Sequence, residues 1–252
     1  MFQAEGITVT LNRRTLLEGV SLTAKAGAIT AIVGPNGSGK TTLLRVIADL
    51  EQPTSGSVRV NGVTARDARL GRQYGYVFQA PALYPWRTIE RNVMLPLEVM
   101  GVPRAERRRR AQACLELVGL EGFERKHPWQ LSGGMQQRAS IARALSFEPK
   151  LLLMDEPFGA LDEIVRDKLN EQLLGLWART GKTVVFVTHS IPEAVFLSTR
   201  IVVMSPRPGR IVDVIDVDLP GPRTLDARET PEFLAVAHRV RKGLRAGRSY
   251  DD

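Results

Sequence analysis

Among its 252 residues the chain has a single cysteine, Cys114, and only 6% aromatics. One thiol excludes an internal disulfide framework and suits a reducing compartment. Long apolar runs are missing too: stretches such as VVFV at 184–187 fall far short of the roughly 20 residues of a membrane-spanning helix. The opening MFQAEGITVT has no basic flank followed by an apolar stretch, so no secretory leader is expected. There is no internal repeat and no low-complexity tract, which argues against solenoids and biased linkers. What remains, 43% hydrophobic and 25% charged, is the composition of an ordinary globular protein.

Negative charge is also in deficit, with 27 Asp and Glu against 35 Lys and Arg and a net charge of +8. Much of the excess sits in RAERRRR (104–110) and RVRKGLRAGR (239–248). Both stretches look helical and carry few aromatics, so no base-stacking platform is suggested. They read as solvated helix faces, or as surfaces drawn to an anionic membrane or a partner lying on it. Nucleic acid is the third reading.

Along the chain, ITVTL and VSLTA read as short strands and AITAIV as a strand entering a glycine loop. KTTLLRVIADL has helical spacing, and SGSVRVNG alternates like a strand and closes on an Asn61-Gly62 turn signal. YGYVFQ is a further short strand, and residues 88–147 turn helical with breaks near GVP and KHPWQLSGG. LLLMDEP (151–157), with acids at its carboxyl end, and KTVVFVTHS, ending in His189, are buried-strand runs flanking the amphipathic DEIVRDKLNEQLLGLWAR. RIVVM and GRIVDVIDVDL read as closing strands, LPGPRTLDARETP as loop or linker, and PEFLAVAHRVRKGL as a last helix. Apolar strands separated by helices argue for an α/β fold whose mostly parallel sheet is covered on both faces. The all-helical middle, about 85–145, is then an inserted helical subdomain. The division expected is 1–230 for the main domain and 231–252 for a C-terminal helix and tail.

GPNGSGKTT at 34–42 satisfies the phosphate-loop pattern between a predicted strand and a predicted helix. Gly34 and Pro35 open the loop, and backbone N–H groups of Asn36, Gly37, Ser38, Gly39 and Thr42 can then face phosphate oxygens. Lys40 is placed to reach the β and γ phosphates, and the Thr41 hydroxyl to hold Mg²⁺. Asp155, at the end of LLLMD, can hold the metal's water shell, while Glu156 can orient or deprotonate an attacking water. Gln79 and His189 also sit at predicted strand ends, the edge where α/β sheets bind ligands. Gln79 can ligate the metal through its amide oxygen, and His189 can meet the γ phosphate. A second anion-binding helix start follows at LSGGMQQ (131–137), where Ser132 suits an N-cap.

In this order these residues resemble the ATP-binding subunit of ABC transporters over roughly residues 2–215: phosphate loop, Gln79, signature LSGGMQQ, Asp155-Glu156, the GALD turn at 159–162, and His189. The resemblance implies a P-loop NTPase (RecA-like) core with an N-terminal antiparallel β subdomain. It implies ATP and Mg²⁺ as ligands, and two copies pairing head to tail with each ATP between them. Ser132, Gly133, Gly134 and Gln136 of one copy would then grip the γ phosphate at the other copy's Lys40. It further implies integral membrane permease subunits as partners, an extracytoplasmic solute-binding protein acting indirectly, and a peripheral position on the cytoplasmic face of the membrane. Leu83, Tyr84, Pro85 and Trp86 would lie where a permease helix docks, although Trp86 can equally pack the helical lobe.

PALYPWRTIERNV and the stretch 187–211 look most like importers of nitrate, taurine and alkanesulfonates. Exporter motors share every motif above. Soluble nucleic-acid ATPases of the family usually carry a long coiled-coil insertion or a second fused cassette, and this chain has neither; no nucleic-acid partner is expected. One departure stands out: Leu11 occupies the place where the family sets an aromatic residue against adenine. Leucine covers a base without stacking on it, so discrimination between ATP and GTP is expected to be weaker than is usual in the family. Side-by-side hydrolysis assays check this, and an ordinary adenine preference would contradict it.

Overall fold

The computed structural model describes residues 2–159, 163–221 and 223–246. Strands β1 (Phe2–Leu11) and β2 (Arg14–Ala24) reverse through Asn12 and Arg13, at φ 50° and 63°. Positive φ at both turn residues matches the twist of a tight hairpin. The Asn61-Gly62 signal acts in the same way, at φ 51° and 87°, between β4 (Ser55–Val60) and β5 (Val63–Thr64). These strands form a four-stranded antiparallel sheet of order β2-β1-β4-β5.

The second sheet contains β3 (Ile29–Val33), β6 (Tyr74–Val77), β7 (Leu151–Asp155), β8 (Thr183–Thr188), β9 (Arg200–Met204) and β10 (Ile211–Asp216). Its order is β10-β9-β3-β8-β7-β6, and every neighbouring pair except β9 and β10 is parallel. Every residue of β3, β7 and β8 is buried. Ile32, Leu153, Val185 and Val187 face α1 (Lys40–Ile47) and the antiparallel sheet, while Ala31, Leu152, Met154 and Phe186 face a second core. A strand covered on both faces reads as an unbroken apolar run, which is why LLLMD and TVVFVT show no alternation.

Between the sheets' strands, α3 (Ile89–Val99), α4 (Arg104–Leu117) and α5 (Gly133–Leu145) pack against one another inside the stretch expected to be helical. α3 is capped by Thr88, whose hydroxyl accepts from the Arg91 amide, and α5 by Ser132, whose Oγ accepts from the Met135 amide at 3.3 Å. Buried Asn92 accepts from the Tyr84 amide at 2.7 Å, and its Nδ2 lies 3.1 Å from the Tyr84 and Arg87 carbonyl oxygens. That bracket turns Trp86 outward, 70% exposed, rather than into the lobe. On the second core's side lie α6 (Glu163–Thr180) and α8 (Pro231–Ala246), the latter burying Phe233, Ala237 and Val240 there.

Two helices of under two turns, α2 (Ala65–Leu70) and α7 (Ile191–Leu197), have no counterpart in the sequence reading. Their only signals are capping side chains, Thr64 to the Asp67 amide and Ser190 to the Glu193 amide. The stretch expected as loop or linker contains a 3₁₀ turn at Leu225–Glu229 and is pinned by Arg223, which donates to the Phe196 and Ser198 carbonyls at 3.0 and 2.8 Å. The basic runs do fall on helices, with Arg108 paired to Glu90, Arg109 and Arg110 to Glu106, and Arg239 to Asp213. Burial pushes the Cys114 thiol up to about 11, which leaves it protonated and unreactive. No helix among the described residues is long and apolar enough to cross a membrane.

Gly75 of β6 lets α5 lie directly on the sheet, since a Cβ there would come within 2.5 Å of the Ala144 carbonyl oxygen. Gly75→Ala is expected to cost about 1–3 kcal/mol, seen in thermal denaturation as a melting temperature several degrees lower.

Candidate functional site

β3 delivers the glycine loop to the carboxyl edge of the parallel strands, and α1 begins directly at Lys40. Gly37 and Gly39 stand at φ 80° and 84°, and a Cβ on Gly39 would meet the Leu17 side chain at 2.6 Å. Only glycine takes that backbone there without strain. Lys40 is buried, and its Nζ donates to the carbonyl oxygens of Gly34 and Pro35 at 2.9 and 3.0 Å. Burial lowers its pKa, opposed by the carboxylates of Glu156 and Asp155.

The two adjacent acids diverge. Asp155 closes β7 and accepts from the Thr41 hydroxyl at 2.8 Å, with the Tyr76 hydroxyl 3.5 Å from its other oxygen. Burial pushes its carboxyl upward, against the Thr41 bond and the Arg45 charge. Glu156 has left the strand at φ 42°, a left-handed backbone of the kind that gathers at functional sites. Its Oε2 lies 3.1 Å from His189 Nδ1. The Thr41 hydroxyl, the Asp155 carboxylate and the Gln79 amide oxygen are hard donors, two of them already in contact, and they fit a magnesium ion.

A cavity of about 410 Å³ collects Asn36, Gly37, Gly39, Lys40, Thr41, Thr42, Gln79 and Glu156, with Leu16 and Arg207 completing its wall. Gly34 and Ser38 are buried under the loop and Pro35 is half-buried; the Ser38 hydroxyl has no partner among the described residues. Leu11, at the end of β1 and 43% exposed, lies outside the lining. Ser132, Gly133, Gly134 and Gln136 also lie outside it, at the start of α5, where Ser132 and Gly133 are exposed. Of the GALD turn, Ala160, Leu161 and Asp162 fall outside the described residues.

Three residues near this site carry no sequence signal of their own: Leu16, Arg207 and Glu193. Glu193 on α7 is buried; its Oε2 accepts from the Thr188 hydroxyl at 3.0 Å and its Oε1 has no partner among the described residues. The same hydroxyl accepts from the Ser190 amide at 3.0 Å, so the pair braces the backbone on both sides of His189. Ser-Ile-Pro-Glu, a helix-opening pattern, was the one available hint.

The sequence profile described as ABC transporter matches residues 17–159. The chain belongs to the ABC transporter family. It is similar to an uncharacterised ABC transporter ATP-binding protein of Methanocaldococcus jannaschii, 46% identical over 229 residues that cover 91% of this chain and 84% of that protein. It is also similar to the taurine import ATP-binding protein TauB of Escherichia coli O157:H7, 40% identical over 245 residues, 95% of each chain. A dimeric bacterial ABC transporter cassette superposes with a TM-score of 0.75 at 36% identity, over 87% of this chain and 100% of that one. That cassette is also known as a post-hydrolysis dimer bound to ADP and phosphate, at the same score, identity and coverage. The chain is thus a P-loop NTPase cassette, the ATP-binding and ATP-hydrolysing subunit of an ABC transporter.

The folded pKa of Glu193 is pushed by burial to about 7, above its usual 4.5. Such a group opposes folding as pH rises from the lower value to the higher, and the penalty is constant beyond. Glu193→Gln is therefore expected to match the parent near pH ~4 and to be more stable near pH ~8 by up to about 3 kcal/mol, as read by melting curves at the two pH values.

Proposed function

We propose that the chain is the motor subunit of an ABC importer, binding ATP in the phosphate-loop cavity and hydrolysing it between two copies arranged head to tail. The observation that carries this is an incomplete pocket. Lys40, Thr41, Gln79 and Glu156 share one cavity, whereas the second anion-binding helix start, which carries Gly134 and Gln136, lies apart on the helical lobe with Ser132 and Gly133 facing solvent. A second copy supplies the missing wall when its α5 amides and Ser132 hydroxyl approach the γ phosphate. Similarity to a cassette solved as a dimer supports the pairing.

Within each site Lys40 leaves the Gly34 and Pro35 carbonyls for the β and γ phosphates, and loop amides from Gly34 to Thr42 surround the rest. Thr41, Gln79 and Asp155 would hold Mg²⁺, which supplies charge neutralisation at the phosphates. Glu156 takes the proton of the attacking water, and His189 fixes that carboxylate and meets the γ phosphate. Leu11 covers adenine from the end of β1. Closure needs ATP, and loss of the γ phosphate removes the bridge that both copies grip.

The motion is delivered to integral permease subunits at a groove of about 610 Å³ between the sheet edge and α3. Phe78, Tyr84, Pro96 and Val99 line it, Val99 being 73% exposed. A contiguous exposed apolar surface of this kind suits an amphipathic partner helix. The subunit then sits on the cytoplasmic face of the membrane, with an extracytoplasmic solute-binding protein feeding the permease. Kinship with taurine import subunits supports import of taurine or a similar small sulfonate or nitrate-like anion. Residues 1–230, with the helical subdomain at about 85–145, form the ATPase domain, and 231–252 the C-terminal helix and tail. Carboxylate pairing of Arg108, Arg109, Arg110 and Arg239 supports solvated faces rather than a nucleic-acid surface.

Glu156→Gln is expected to lower turnover by roughly 10²–10⁴-fold while ATP still binds and dimers accumulate on gel filtration. The parent's rate per subunit should fall on dilution. Near-normal hydrolysis in the variant, or a rate indifferent to dilution, would refute the mechanism.

A further inference from the structure

The turn between β9 and β10, residues 205–210, is fastened to the phosphate loop from outside. Gly209 approaches so closely that a Cβ there would lie 2.0 Å from the Ser38 carbonyl oxygen. Its N–H donates to the Leu16 carbonyl at 2.8 Å, and its own carbonyl accepts from the Glu18 amide at 3.1 Å. Inside the turn the Arg210 amide donates to Ser205 Oγ and the Ser205 amide to the Arg210 carbonyl, both at 2.9 Å. A segment tied at this many points has a fixed backbone, from which its side chains extend.

Its two arginines behave differently. Arg210 pairs with Glu18 at 2.7 Å and so belongs to the fastening. Arg207 is exposed and has no hydrogen-bond or ion-pair partner among the described residues. Its Nη2 lies 3.7 Å from the point a Cβ on Gly37 would occupy, and it lines the same cavity as Lys40. Glu156, the carboxylate of that lining, is engaged with His189. An exposed, unpaired arginine adds little to the fold, yet a rigid turn keeps this one over an anion cradle.

We propose that Arg207 is a nucleotide-binding residue whose guanidinium closes over the phosphate chain from the Gly37 side of the loop. The inference rests on the reading of the cavity as the nucleotide site. A guanidinium fork matches phosphate oxygens and stays charged at every working pH. Gly37 stands in the middle of the loop, so the phosphate in reach is the one the loop wraps, not the terminal one at Glu156 and Gln79. That phosphate is present before and after hydrolysis. The contact therefore strengthens ATP and ADP binding alike, which acts on KM and leaves kcat in place. It also bears on the missing aromatic at Leu11, because grip on the phosphates offsets a weaker hold on the base.

The test is nucleotide titration of the full chain, with Arg207→Gln, Arg207→Lys and Lys40→Ala in parallel and melting curves to verify folding. Arg207→Gln is expected to weaken ADP, ATP and GTP to the same degree, about 10-fold, or roughly 1.4 kcal/mol. KM should rise with kcat at saturation unchanged, and Arg207→Lys should recover part of the affinity. Unchanged ADP affinity in Arg207→Gln, where Lys40→Ala has lost binding, overturns the inference alone. A loss with ATP but not GTP puts the guanidinium on the base and overturns it as well. Unchanged affinity in both Arg207→Gln and Lys40→Ala removes the cavity reading beneath it.

Discussion

The hydrogen bond from Thr41 to Asp155, 2.8 Å long, is the bond on which the site depends. It joins the first turn of α1 to the end of β7 and so fixes the phosphate loop against the acidic strand edge. Placing the Asp155 carboxylate in so closed a position unsupported would cost several kcal/mol; the threonine hydroxyl offsets part of this. Lys40 satisfies itself in the same manner on the carbonyls of its own loop. Each of these bonds uses a group that a phosphate or its cation can take over. Binding is then an exchange of hydrogen bonds within a preformed frame, which keeps the ordering cost of the ligand small.

The segments that carry the other proposed site residues, Gln79 and Ser132, are joined through α5. Ser132 is its N-cap, and further along Gln137 donates to the Phe78 carbonyl at 3.3 Å. Nearly two turns beyond, Arg143 donates to the Ala82 and Pro81 carbonyls at 2.7 and 2.9 Å. The segment holding Gln79, and the Tyr84–Trp86 stack after it, is thus strapped to the helix that presents the signature. A displacement of α5 by a second copy carries the apolar groove along with it, because both are held by the same backbone carbonyls. Under the proposed function, coupling between nucleotide and membrane partner needs no long relay, because one helix would touch both.

Much of this was legible from local pattern. The phosphate loop, the Asn61-Gly62 hairpin and the unbroken strands LLLMD and TVVFVT each announce a backbone conformation within a few residues, and the fold class follows from their alternation. Placement at the loop cavity was legible where chemistry and position coincide, as at Lys40, Thr41, Gln79 and Glu156. It was not legible at Arg207 or Glu193, whose meaning comes from elements that meet only in space: a distal turn clamped on Ser38, and α7 tucked beneath β8. α2 and α7 were missed because fewer than two turns give the eye no period to detect. Arg223 converts an apparent linker into a fastened segment through carbonyls no sequence pattern reveals.

The strand order has a consequence for the chain's birth. β3, which feeds the phosphate loop, is flanked in the sheet by β8 and β9, and these begin only at Thr183 and Arg200. During synthesis the loop's own strand waits with both edges bare while most of the polypeptide is still to emerge. Pairings of such long sequence separation are slow to form, and bare edges invite wrong partners. The antiparallel sheet, complete by Thr64, and the three-helix lobe are built from nearer neighbours and can assemble earlier, so the phosphate-loop cavity is among the last features of the nascent protein to exist.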